Sequence, residues 1–100
     1  MDIRFKVNNV NYQIRNSTYD FVLNEIISEK EDKKTGEMKL SVKARGGYSN
    51  PYNCVRAIPN YQLLDDETSK EIESFMELEE MVKQLYAEIR EIVIKYDMRP

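Results

Sequence analysis

A chain of 100 residues, 41% hydrophobic and 33% charged, is long enough for one domain and has to use nearly every apolar cluster to bury a core. A formal charge of −3 with no histidine and one cysteine excludes imidazole acid–base chemistry, His/Cys metal clusters and an internal disulfide. No apolar run reaches the roughly 18 residues of a membrane-spanning helix. Met1-Asp2-Ile3-Arg4 lacks the layout of a signal peptide, and a lone Cys54 suits a reducing cytosol, so a cytoplasmic location is expected.

The first element is a hairpin. Ile3, Phe5 and Val7 alternate with Arg4 and Lys6, and Val10, Tyr12 and Ile14 alternate with Asn11 and Gln13. Asn8-Asn9 between them tolerates the left-handed backbone of a two-residue type I′ turn. That turn sets Val7 against Val10, Phe5 against Tyr12 and Ile3 against Ile14, so pattern and turn agree on register. A second hairpin follows, with strands over about 19–30 and 37–45 separated by Glu31–Gly36. Phe21, Leu23 and Ile27 share one face of the first strand; Leu40, Val42 and Ala44 share one face of the second. The expected inner face is Ile3, Phe5, Tyr12, Ile14, Leu23, Ile27 and Val42. The expected outer face is basic, with Arg4, Lys6, Arg15, Lys39, Lys43 and Arg45. That charge protects a sheet against edge pairing or, alternatively, contacts phosphate.

Gly46-Gly47 ends the last strand. Asn50-Pro51 is an N-cap followed by the residue favoured at the first helical position, so a helix is predicted over 51–58, stopped by Pro59. Cys54 lies in it and reads as a buried, inert thiol, since no histidine can activate it. The last predicted element is a long helix over 66–97, opened by Thr68-Ser69-Lys70-Glu71 as a capping box. Phe75, Leu78, Val82, Leu85, Ile89, Ile92 and Tyr96 recur at steps of three and four, as a and d positions of heptads. Glu79–Lys83 and Glu91–Lys95 have the spacing of helical ion pairs. The stripe has to cover the sheet. Met81, Tyr86 and Val93 widen it, which predicts a homodimer through this helix.

Charge is unevenly distributed. Residues 1–58 hold ten Lys/Arg against seven Asp/Glu, and residues 59–100 hold five against eleven. Asp65, Asp66, Glu67, Glu71, Glu73, Glu77, Glu79 and Glu80 face a single base, Lys70. A helix macrodipole explains acid at its start; an acidic surface aimed at a basic partner is the functional reading. Glycines occur only at 36, 46 and 47, so no Gly-rich phosphate loop is present, and no nucleophile–base pair is visible. No catalytic residue, metal ligand or cofactor site is assigned, and the chain reads as a non-enzyme.

The order of motifs, with Tyr19-Asp20-Phe21-Val22-Leu23-Asn24-Glu25, a Lys-rich turn, and Asn50-Pro51-Tyr52-Asn53-Cys54-Val55-Arg56-Ala57-Ile58 before an acidic terminal helix, resembles small uncharacterised proteins of phages and prophages of Gram-positive bacteria. Those proteins lie among host-takeover, replication-accessory and anti-defence factors, anti-CRISPR proteins included. The resemblance implies a role in the host cell cytoplasm and no site residue. The combined expectation is one α+β domain over 1–100: two hairpins (1–45) forming an antiparallel sheet of about four strands, a short helix, and one long C-terminal helix packed on the sheet. Its expected function is a phage-type protein-binding module that inhibits or modulates a host protein, such as a CRISPR nuclease, through Asp65, Asp66, Glu67, Glu71, Glu73, Glu77 and Glu80. The alternative is nucleic-acid binding by the basic sheet face.

Overall fold

The computed structural model describes residues 2–64 and 75–100. Four strands, β1 (Asp2–Val7), β2 (Val10–Asn16), β3 (Phe21–Glu31) and β4 (Met38–Tyr48), form one antiparallel sheet in the order β1-β2-β3-β4. Two helices follow, α1 (Pro51–Leu63) and α2 (Phe75–Lys95). Val7, Tyr12, Ile14 and Leu23 of the sheet meet Cys54, Val55 and Ile58 of α1 and Leu85, Ile89 and Ile92 of α2 in one core. The α+β architecture is therefore the expected one.

The first hairpin has the expected register, Val7 opposite Val10, Phe5 opposite Tyr12 and Ile3 opposite Ile14. Asn8 and Asn9 both take positive φ, 49° and 64°, as a type I′ turn requires. The Phe5 and Tyr12 rings stack with centroids 6.0 Å apart. In the second hairpin Gly36 supplies the positive-φ turn residue, at 72°.

The second hairpin departs from expectation because of two register shifts, between Leu23 and Asn24 and between Ile26 and Ser28. Leu23 opposes Gly46 while Asn24 opposes Ala44, so Arg45 is the extra residue of a bulge. A bulge reverses the alternation that follows it. Gly46 and Tyr48 lie on the helix side, whereas Ala44, Val42 and Leu40 fall on the opposite face, with Asn24 and Gln13. Ile27 is the extra residue of the second shift. Ile27 and Val42, expected inside, are 59% and 41% exposed. Beyond the Tyr12–Glu25 pair β3 has no β2 partner. Ile26–Glu31 and Met38–Val42 thus run on as a two-stranded ribbon.

The first helix also runs further than expected. Asn50 caps it, its side chain accepting from the Asn53 N–H at 2.8 Å. Pro59 sits inside it rather than ending it. Proline forfeits one backbone bond, and the next turn is held by side chains that reach the sheet. Gln62 donates to the Val7 carbonyl and the Tyr12 hydroxyl, both at 3.0 Å, and accepts from the Asn8 amide. Tyr61 donates to the Arg45 carbonyl.

The heptad stripe of α2 is spent largely inside this domain: Leu85, Ile89 and Ile92 are buried, and Met81 and Val93 pack against the core. Tyr96 donates to the Arg4 carbonyl and Glu88 accepts from the Asn8 N–H. The helix ends at Lys95. Asp97 takes φ 49°, and the Met98 N–H returns to the Val93 carbonyl with the Asp97 N–H on the Ile94 carbonyl, a Schellman closure with Met98 buried. The expected start of this helix at 66–74, with its capping box, lies outside the described residues.

Candidate protein-binding groove

The six basic residues expected on one sheet face are divided. Arg4, Lys6 and Arg15 share the open face with Gln13. Lys39 and Lys43 lie on the other side of β4, out of phase with Leu40 and Val42. Arg45, turned by the bulge, points to the helix side; its guanidinium holds Glu25 at 2.5 Å and lies over the Tyr61 ring. Arg4 pairs with Asp2 and Glu29, and Lys39 with Asp32 at 3.1 Å. Lys6, Arg15 and Lys43 carry no ion pair among the described residues. The single basic face is thus corrected: Arg4, Lys6 and Arg15 stay on the open face, whereas Lys39, Lys43 and Arg45 lie on the helix side. At the centre of the open face Gln13 and Asn24 are buried, the Asn24 amide donating to Gln13 and the Gln13 amide to Asp2. Sequence alternation marks both as outward and gives no sign of this ladder.

Among the acidic residues, Glu77 and Glu80 are exposed on α2. Asp65, Asp66, Glu67, Glu71 and Glu73 lie outside the described residues. Glu79 pairs with Lys83 at 3.7 Å as expected. Lys95 instead lies over the Tyr96 ring, 5.3 Å from its centroid, and not against Glu91.

Cys54 is fully buried, its thiol directed at the Phe21 carbonyl. Burial, with Asp20 nearby, pushes its pKa from 9 up to about 11, so the reactive thiolate is suppressed at neutral pH. The Tyr61 hydroxyl spends its proton on the Arg45 carbonyl. The Tyr48 hydroxyl must then donate to Tyr61. Burial and that bond push Tyr48 up to about 12. Gly46 faces both phenols: a Cβ there would lie 3.0 Å from Tyr61 Oη and 3.1 Å from Tyr48 Oη, so only glycine fits without displacing the pair. These groups lock α1 to the base of the second hairpin and expose no reactive atom.

The concavity that offers chemistry lies between the helices. Tyr52 and Arg56 stand one turn apart on α1; Tyr86, Ile89, Arg90 and Val93 share one face of α2 at helical spacing. They line a groove of roughly 430 Å³. Ile89 and Val93 form its apolar floor. Tyr86 is 52% exposed at its lip. The Arg56 guanidinium lies 5.5 Å from the Tyr52 ring centroid. Neither Arg56 nor Arg90 has an ion pair among the described residues. An apolar floor flanked by two guanidiniums that lack an ion pair among the described residues and by an amphipathic ring is the chemistry of a protein contact. Of the residues expected at a helix seam, Met81 and Val93 are partly buried and Tyr86 is exposed. Sequence carries no signal for Arg56, Arg90 and Tyr52, because the groove forms only when two separate helices meet.

No family model, curated protein or solved structure matches this chain. Neither described helix is long and apolar enough to cross a membrane.

Proposed function

We propose that this chain is a non-enzymatic protein-binding module that modulates or inhibits a host protein, in the manner of the small phage factors it resembles, with a nucleic-acid-handling enzyme such as a CRISPR nuclease as the target class. One observation carries the reading: the groove of Tyr52, Arg56, Tyr86, Ile89, Arg90 and Val93 holds two arginines that have no ion pair among the described residues, beside a half-exposed tyrosine. It fits a partner segment with an apolar anchor between carboxylates. The anchor meets Ile89 and Val93, and the acids meet Arg56 and Arg90. The acidic run supplies a second surface, of which Glu77 and Glu80 are the described, exposed members.

The test compares affinity capture from host cells by the wild type, by an Arg56→Glu/Tyr86→Ser variant and by a Glu77→Lys/Glu80→Lys variant, all checked for folding. A protein bound by the wild type and lost by the groove variant alone is the expected result. Loss confined to the acidic-strip variant moves the contact to that strip and overturns the groove. The second reading, nucleic-acid binding, draws on Arg4, Lys6 and Arg15, which share the sheet face that no described helix covers. It requires DNA or RNA affinity that falls steeply with salt.

A further inference from the structure

Among the described residues, the two-stranded ribbon at the end of the second hairpin has no helix over it and no third strand hydrogen-bonded to it, and the Arg4–Glu29 ion pair links it to β1. Such a ribbon is marginal in water; three or more strands are needed for independent stability. Along β4, Met38, Leu40, Val42 and Ala44 alternate with Lys39, Ser41 and Lys43. Met38 and Val42 are 57% and 41% exposed. β4 is also the terminal strand of the sheet. α1 ties its far end, through Arg45 and Tyr48, and among the described residues β4 has a strand neighbour over 38–44 on one side only, β3.

We propose that this edge pairs with the same edge of a second copy of the chain, antiparallel, about a two-fold axis at Leu40. Charge complementarity supports a second copy as the occupant and favours this register. A two-fold normal to the sheet keeps the apolar faces together and sets Leu40 against the partner's Leu40 and Met38 against the partner's Val42. On the other face it sets Lys39 against the partner's Ser41 and brings Glu37, the residue before β4, to the partner's Lys43. Centring the axis on Ser41 would oppose Lys39 to the partner's Lys43, and centring it on Val42 would oppose Lys39 to the partner's Arg45. Like charges directly opposite are destabilising. The register at Leu40 is the one of these three that opposes no like charges and satisfies Lys43, which has no ion pair among the described residues. The two ribbons become a four-stranded continuation of the sheets. The groove between α1 and α2 stays open on each copy, so the assembly presents two binding sites.

The experiment is sedimentation of the full chain at micromolar concentrations, with charge swaps at exposed positions. Lys43→Glu alone and Glu37→Lys alone each turn two symmetry-related attractions into repulsions and should weaken the dimer about tenfold or more. Combining them should restore it, an outcome that a folding defect would not produce. Leu40→Cys should cross-link as a dimer under mild oxidation, since Cys54 is buried. A monomer across the concentration range overturns the proposal. So does a dimer indifferent to both single swaps, or one lost in Tyr86→Glu/Val93→Glu but not in the β4 variants.

Discussion

The two hairpins carry the same kind of sequence and meet opposite fates. In β1–β2 the alternating residues Val7, Tyr12 and Ile14 are wholly or almost wholly buried. In β3–β4 only the root enters the core, through Phe21, Leu23 and Tyr48, while Ile27, Met38 and Val42 stand in solvent. Alternation says which residues share a face; it does not say whether a helix lies over that face. Coverage was decided by helix position, and facing by the bulge at Arg45.

The largest expected effect is on the covered hairpin. Ile14 on the sheet and Leu85 on α2 meet in the one core. Ile14→Ala or Leu85→Ala should each cost about 2–5 kcal/mol, the range of buried large-to-small changes. Urea denaturation measures this, and a loss below 1 kcal/mol (the scale of ordinary surface changes) would mean the core is assembled elsewhere. Gln62 comes next. Gln62→Leu keeps volume and leaves the Val7 carbonyl and the Tyr12 hydroxyl without this donor. A cost of about 1–3 kcal/mol is expected. Gln62→Glu should fall close to it, because a carboxylate cannot donate to the Val7 carbonyl.

Much of the architecture is legible before any coordinates. Asn8-Asn9 fixes turn and register by its tolerance of positive φ, Asn50-Pro51 fixes the start of α1, and the spacing of Leu85, Ile89 and Ile92 fixes the buried stripe of α2. The misplacements within the strands share one physical cause. Strict period-two counting misplaces Ile27, Val42 and Arg45, because a one-residue bulge inverts or interrupts the count without any signature of its own. Pro59 is a stop by local backbone chemistry alone; the contacts that Tyr61 and Gln62 make with residues distant in sequence outweigh one missing bond. The groove follows the same logic: Tyr86 and Val93 were legible as surplus apolar surface, but Arg56 and Arg90 gain meaning only from the meeting of α1 and α2.

The buried root of the second hairpin should show itself in alkali. Cys54 is raised from 9 to about 11 and Tyr48 from 10 to about 12. For each, the folded state holds its proton more tightly than the unfolded chain does. The stabilising contribution is therefore complete below the unfolded pKa and is lost as pH rises through the folded one. Stability should begin to fall near pH 9 through Cys54 and continue past pH 10 through Tyr48. Thermal melts across this range should show the decline, and Cys54→Ala should remove its first part. A melting temperature flat from pH 9 to 11 would contradict the burial of the thiol.

The smallest effect is expected where the ribbon leaves the body. Ile27 is the extra residue of the second register shift, it is 59% exposed, and it does not pack on the core. Ile27→Thr keeps the β-branched shape suited to a strand and removes apolar surface that is mostly in water already. Its cost should stay within about 0.5 kcal/mol, the scale of surface substitutions. Ile14→Thr makes the same chemical change at a fully buried site and adds a hydroxyl to the core, so it should cost several-fold more. Paired urea titrations of the two variants measure the difference directly. Equal costs would show that the ribbon is covered in solution by something that buries Ile27 as tightly as the helices bury Ile14.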